Sequence, residues 1–216
     1  MKKPFVQRIW HHLHRMLLHP IRVFVFHQVS DVFDPELMWE CDWTQTEAFK
    51  RGILNLKKHY TFISLVEARN HLMCDRIRRT NYAVFTADDG WESLKNILPW
   101  LAEQRVPITL FLNPLYLDGE HKQSRGTERF LREEEVSQLV EKYAPYISIA
   151  SHGWTHEDCT AMNLSQFQEH VMKAEQALGN VFGKVPFYAF AWGKHKKEQV
   201  DYLRSQSLVS VFVDGI

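Results

Sequence analysis

The stretch Tyr82-Ala83-Val84-Phe85-Thr86-Ala87-Asp88-Asp89-Gly90 decides how this chain of 216 residues is read. Its first part is aromatic and β-branched, the composition of a buried strand. It ends on two adjacent carboxylates and a glycine. Like charges that close oppose joint ionisation, and a cation beside them relieves the conflict. Successive side chains of an extended backbone point to opposite sides, so one aspartate can meet an ion while its neighbour faces water or a substrate. Gly90 permits a sharp turn and a close approach of backbone to a ligand. Taken alone, the tripeptide reads more readily as a turn that caps the next helix.

Outward from this strand, short apolar runs alternate with amphipathic ones. Strands are expected at Val23–Phe26, Tyr60–Leu65, Tyr82–Thr86, Ile108–Leu112, Ile147–Ala150, Phe187–Ala191 and Val209–Val213. Helices are expected from a Thr44-Gln45-Thr46-Glu47 capping box to about His59, then over Ser93–Gln104, Glu133–Tyr143, from Ser165-Gln166-Phe167-Gln168 to near Gly179, and over Lys197–Ser205. The polar run Asp118–Thr127 reads as a loop. Strand–helix alternation implies parallel strands joined by crossovers. The expected class is α/β, a closed or nearly closed (β/α) barrel of about seven parallel strands, with a doubly wound open sheet as the rival. In such barrels the chemistry sits at the C-terminal ends of strands, where the Asp-Asp-Gly run falls.

A second loaded segment follows the fifth strand: Ser151-His152-Gly153-Trp154-Thr155-His156. Two histidines four apart lie on one helical face or converge when the segment loops back. Imidazole is the commonest protein ligand for zinc and its neighbours. Two histidines and one carboxylate make a metal triad that leaves positions open for water. His152, His156 and one of the two adjacent aspartates are the candidate ligands of one divalent ion. Zinc suits the set best, with cobalt, nickel, iron and manganese open.

These segments resemble a known family. Thr86-Ala87-Asp88-Asp89-Gly90, continued through Leu98-Pro99-Trp100-Leu101 and Val106-Pro107-Ile108-Thr109-Leu110-Phe111, resembles the first motif block of the polysaccharide deacetylases, the NodB homology domain. Ser151–His156 resembles its H-x-x-x-H motif, Phe26-His27-Gln28-Val29 its YHRV-like opening, and Pro186–Gly193 the FAYPxG form of its third motif. The resemblance implies a distorted (β/α) barrel of the NodB type and metal-dependent removal of N- or O-linked acetyl groups from a glycan. It assigns Asp88 as catalytic base and Asp89, His152 and His156 as metal ligands.

The chain departs from the pattern at several points. Ala87 stands for Phe and Ala191 for Pro, and Ala189 stands where many members carry an arginine that orients the catalytic aspartate. The family's later L-x-H motif, which carries a general-acid histidine, has no match before Ile216, so a barrel incomplete at the C-terminus is expected. The alternative function is therefore a catalytically impaired, deacetylase-like carbohydrate-binding protein. Trp91, Trp154 and Trp192 flank the three motifs and are candidate substrate-binding residues, with core packing the competing reading. His27 is a candidate to line the same site, or else a structural histidine.

Composition bounds the rest. Lys plus Arg and Asp plus Glu number 26 each, which removes the basic excess of a nucleic-acid binder. The three cysteines, Cys41, Cys74 and Cys159, lack a CxxC pair and read as buried free thiols. Residues 1–20 are expected to form an amphipathic N-terminal segment before a deacetylase-like domain over 21–216. His11, His12, His14 and Arg15 interrupt that segment's apolar run, so neither a signal peptide nor a membrane span is expected. A cytoplasmic location follows from that reading, with peripheral membrane contact by the segment as the alternative. The expected partner is an acetylated glycan.

Overall fold

The computed structural model describes residues 21–32, 43–73, 80–118 and 129–211. Residues 1–20, most of the Asp118–Thr127 loop, Cys41 and Cys74 lie outside them. Among the described residues, nine strands occur in the order β1 (Ile21–Phe26), β2 (Gln28–Val29), β3 (Trp43–Thr44), β4 (Thr61–Phe62), β5 (Tyr82–Asp88), β6 (Ile108–Leu112), β7 (Ile147–Ser151), β8 (Phe187–Ala189) and β9 (Val209–Val211). Six α-helices lie among the same residues: α1 (Thr46–Leu56), α2 (Leu65–Met73), α3 (Leu98–Glu103), α4 (Glu133–Tyr143), α5 (Leu164–Phe182) and α6 (Lys197–Ser205).

Seven strands form one sheet in the order β1-β5-β6-β7-β8-β9, with β4 also on β5, and every pair is parallel. These are the seven strands read from the sequence. A strand has two edges, and β5 uses both. β1 runs along one edge from Tyr82 to Ala87, while β4 takes Tyr82 and Ala83 on the other, before β6 takes Phe85 to Asp88. The sites of change are thus gathered on the central strand. β2 and β3 pair separately as a two-residue parallel bridge.

Alternation along the strands sorts the core into two faces. Ala83, Phe85, Ala87, Leu110, Leu112 and Ile149 join the cluster that includes Leu98, Leu101 and Val136 from the covering helices. Tyr82, Val84, Phe111, Ala150, Phe187 and Ala189 form a second cluster on the opposite face, against which Ile21 and Val23 of β1 and Val209 of β9 also pack. Strands from both edges of the sheet meet in that cluster because the sheet curls around it. The result is a half-barrel of the distorted (β/α) type. By the same alternation Thr86 and Asp88 fall on the concave face.

The helices differ from the sequence reading for local reasons. The expected Ser93–Gln104 helix is split into a 3₁₀ segment, Glu92–Asn96, and α3, with Pro99 in the first turn of α3. Proline fits a helix start and not an interior. The Thr44 capping box does not form: Gln45 precedes α1 and makes no side-chain cap. The expected Tyr60–Leu65 strand shortens to two residues because Leu65 opens α2, with Glu67 accepting from the Ser64 backbone and hydroxyl at 2.8 and 2.9 Å. α5 is capped by Asn163, not Ser165, with Gln166 reciprocating across a capping box, and it continues past Gly179 to Phe182. β8 stops at Ala189, where Ala191–Gly193 make a 3₁₀ turn.

Candidate metal centre

β5 carries Asp88 as its last residue, and the chain then turns through two residues of positive φ, Asp89 (68°) and Gly90 (76°). The turn is tight because a side chain at Gly90 would meet Leu112 Cδ2 at 2.6 Å. Aspartate tolerates this backbone region better than most residues. The reversal separates the two carboxylates: Asp88 stays with the strand, and Asp89 is buried beside the β7 segment, 7 % exposed.

That segment brings His152 and His156 to Asp89. His152 Nε2 lies 3.6 Å and His156 Nε2 3.4 Å from Asp89 Oδ1. The same Oδ1 is buried and accepts no hydrogen bond. The tautomer of His152 follows from its partner. Its Nδ1 is 3.0 Å from the Ala189 carbonyl, which only accepts, so Nδ1 carries the proton and Nε2 presents a lone pair. Burial pushes the His152 pKa down, partly offset by the Asp89 charge, which keeps the ring neutral. Two donors about 2.0–2.1 Å from a tetrahedral ion stand about 3.3 Å apart. The observed spacings fit a cation of that size. Among the described residues, Asp89, His152 and His156 are the one group of such side chains able to hold a metal ion.

The support around the three residues is polar and buried. Trp91 Nε1–H donates to Asp89 Oδ2 at 3.2 Å, while its ring packs on Phe130 with centroids 4.6 Å apart. The His152–His156 loop is held from three sides. Buried Asn113, just past β6, donates to the carbonyls of His152 and Gly153 at 2.7 and 3.2 Å. The His156 N–H donates to the Tyr116 hydroxyl at 3.2 Å. On the third side, the Trp154 N–H donates to Nε2 of His170, a buried residue of α5 whose pKa burial pushes down to about 4.

The three tryptophans separate. Trp91 is 3 % exposed: its ring packs on Phe130 and its N–H is directed to Asp89. Trp154 is half-buried in the loop between the two histidines. Trp192 is 56 % exposed, sits at φ 59° in the turn after β8, and meets the His156 ring edge-on at 4.7 Å. His27 follows β1 directly. Since Phe26 pairs with Ala87, His27 stands level with Asp88 at the C-terminal end of the sheet, and its charge bears on His152. Cys159 is buried and free, as its composition suggested.

The polysaccharide deacetylase profile matches residues 75–209, which include β5 with both aspartates and the whole His152–His156 segment. The chain belongs to the polysaccharide deacetylase family. Solved deacetylases share its fold. IcaB from Ammonifex degensii superposes with a TM-score of 0.70 at 16% identity, over 86% of this chain and 81% of that one. The Streptococcus pyogenes deacetylase PplD, solved in complex with acetate, gives 0.71 at 13% identity over 87% and 80%. BC0361, a polysaccharide deacetylase from Bacillus cereus, gives 0.71 at 17% over 89% of this chain and 57% of its own. Comparison with curated protein sequences finds no match. At these identities the likeness is one of fold, and the site has to be argued from this chain's own residues. No helix among the described residues is long and apolar enough to cross a membrane.

Proposed function

We propose that this deacetylase-family chain is a divalent-metal-dependent hydrolase that removes N- or O-linked acetyl groups from a polysaccharide or oligosaccharide. The observation that carries the reading is the buried, unpartnered Asp89 Oδ1 with two imidazole nitrogens 3.4 and 3.6 Å away. A carboxylate oxygen left so is costly unless a cation completes it. Asp89, His152 and His156 would hold that ion, and zinc is the metal the donor set favours. When bound, the ion supplies charge to polarise the acetyl carbonyl and to lower the pKa of water.

The remaining steps fall to side chains. Asp88, on the concave face at the strand end, takes the proton of the attacking water. Collapse of the tetrahedral adduct expels an amine or alkoxide, which needs a proton. His27 is placed to give it: it follows β1 directly and stands level with Asp88 at the C-terminal end of the sheet. Trp192 and, more partially, Trp154 offer aromatic surface beside His156 for a sugar ring.

The test is metal content followed by acetate release. Purified wild type, analysed by plasma mass spectrometry, is expected to hold about one divalent ion per chain, and His152→Ala to hold none. Wild type is then expected to release acetate from acetylated chito-oligosaccharides or acetylated xylan, and His152→Ala to release none. A wild-type protein that takes up no metal after incubation with zinc would overturn the proposal.

A further inference from the structure

We propose that His170, on α5, is a positioning residue that fixes the backbone between the two metal-binding histidines by accepting the Trp154 N–H. The inference rests on the metal reading of Asp89, His152 and His156, and adds a residue that lies outside the motifs carrying the resemblance.

Three independent contacts define the arrangement. The Trp154 N–H donates to His170 Nε2 at 3.0 Å. Gly153, at φ 85°, presses its backbone against the same ring: a Cβ there would lie 2.3 Å from Nε2 and 3.2 Å from Cδ2. The imidazole is buried, in line with Phe167, Val171, Ala174 and Leu178 on the core side of α5. A hydrocarbon in that place would fill the volume and leave the part-buried Trp154 N–H without its acceptor. The short tight segment His152-Gly153-Trp154 thus has one conformation in which its amide is satisfied. In that conformation the Asn113 bonds to the His152 and Gly153 carbonyls and the Tyr116 bond to the His156 N–H are made together.

The geometry sets the direction of the effect. His152 Nε2 and His156 Nε2 must converge on Asp89 Oδ1, and three residues separate them. Rotation of the Gly153–Trp154 peptide, freed from His170, would swing one imidazole away from the other. Residues that orient metal ligands typically change metal affinity 10–100-fold when removed. An acceptor is what the site requires, and glutamine supplies one: its Oε1 reaches about as far as the histidine Nε2 and accepts a hydrogen bond.

The experiment compares wild type, His170→Gln, His170→Leu and His170→Met, all without metal and then in a zinc titration against a chromophoric chelator. In the metal-free proteins, hydrogen exchange at the Trp154 amide is expected to be slow in wild type and His170→Gln and fast in the two apolar variants. In the titration, the zinc Kd of His170→Gln is expected within about threefold of wild type, and those of His170→Leu and His170→Met weaker by 10–100-fold. Two apolar variants of different shape guard against one failing to fold. Slow exchange retained in a folded apolar variant, or equal weakening by the glutamine and apolar variants, overturns the role of the acceptor. Should wild type bind no zinc, the metal reading falls on that result, while the amide exchange still decides whether His170 fixes the loop.

Discussion

Replacing Trp91 by phenylalanine separates the two roles that an indole at this position can have. The aromatic face on Phe130 is kept, and the Nε1–H that meets Asp89 Oδ2 at 3.2 Å is lost. Asp89 then loses the indole at Oδ2, while Oδ1 accepts no hydrogen bond. A hydrogen bond to a charged acceptor contributes about 1.5–3 kcal/mol. If most of it acts on the metal-holding arrangement, the zinc Kd weakens by about 10–100-fold, or about 1.4–2.7 kcal/mol. The smaller ring also leaves a cavity, so thermal stability of the metal-free protein should fall by about 1–2 kcal/mol. The assays are chelator competition for zinc and urea unfolding without metal. A sugar platform would give the opposite pattern, with phenylalanine still stacking and zinc held as before. Wild-type zinc affinity in a folded Trp91→Phe would refute the support argued for Asp89.

Three further outcomes are expected. Glu175 on α5 has a buried Oε1 that accepts no hydrogen bond, and burial raises its pKa from 4.5 to about 7. A carboxyl whose folded pKa is raised costs nothing while protonated in both states, then destabilises progressively as pH rises from about 4.5 to 7. Glu175→Gln should therefore gain about 1–2 kcal/mol at pH 8 over its effect at pH 4, screening at this half-buried site allowed for, and equal urea-unfolding changes at both pH values would refute it. His27→Gln should keep its zinc and lose about 10²–10⁴ in kcat for acetate release, and an unchanged kcat would remove His27 as the proton donor. Gly153→Ala should lose about 2–4 kcal/mol in thermal unfolding, since its Cβ would stand 2.3 Å from His170 Nε2 at φ 85°. Gly183→Ala, at φ 75° and ψ −156° but with nothing within 4 Å, should lose about 1–3 kcal/mol from backbone strain alone.

The strands were legible because each is a run of β-branched and aromatic residues bounded by polar turns, and the pattern survives burial on both faces. β5 and β6 show why: they are buried almost throughout, as central strands of a parallel sheet must be. Helix ends were harder. Asn163 and Ser165 are both good caps two residues apart, and the choice fell to Gln166, which reaches back to the Asn163 N–H at 2.9 Å. Residues 65–73 show no strong apolar stripe, since Val66, Leu72 and Met73 are exposed, so periodicity did not mark α2.

The proposed ligand set was legible because carboxylate and imidazole at two strand ends have few other uses together. Their supports were not, and the reason is physical. Ala189 acts through its carbonyl, which no residue type advertises, and Asn113 and Tyr116 act on backbone atoms of a segment some 40 residues away. His170 left a trace: it shares a helical face with Phe167, Val171 and Ala174, and a polar ring on an apolar stripe needs a partner. Trp91 left none, since an indole beside a motif reads the same whether its N–H or its face is used. What decides between those uses is the turn at Asp89 and Gly90. By reversing the chain at positive φ it leaves Asp88 on the concave side at the strand end and folds Asp89 back beneath Trp91, so that the two adjacent carboxylates are parted. The same short turn thus accounts for the division of labour proposed for the pair, with Asp88 toward water and substrate, and Asp89 toward the two imidazoles.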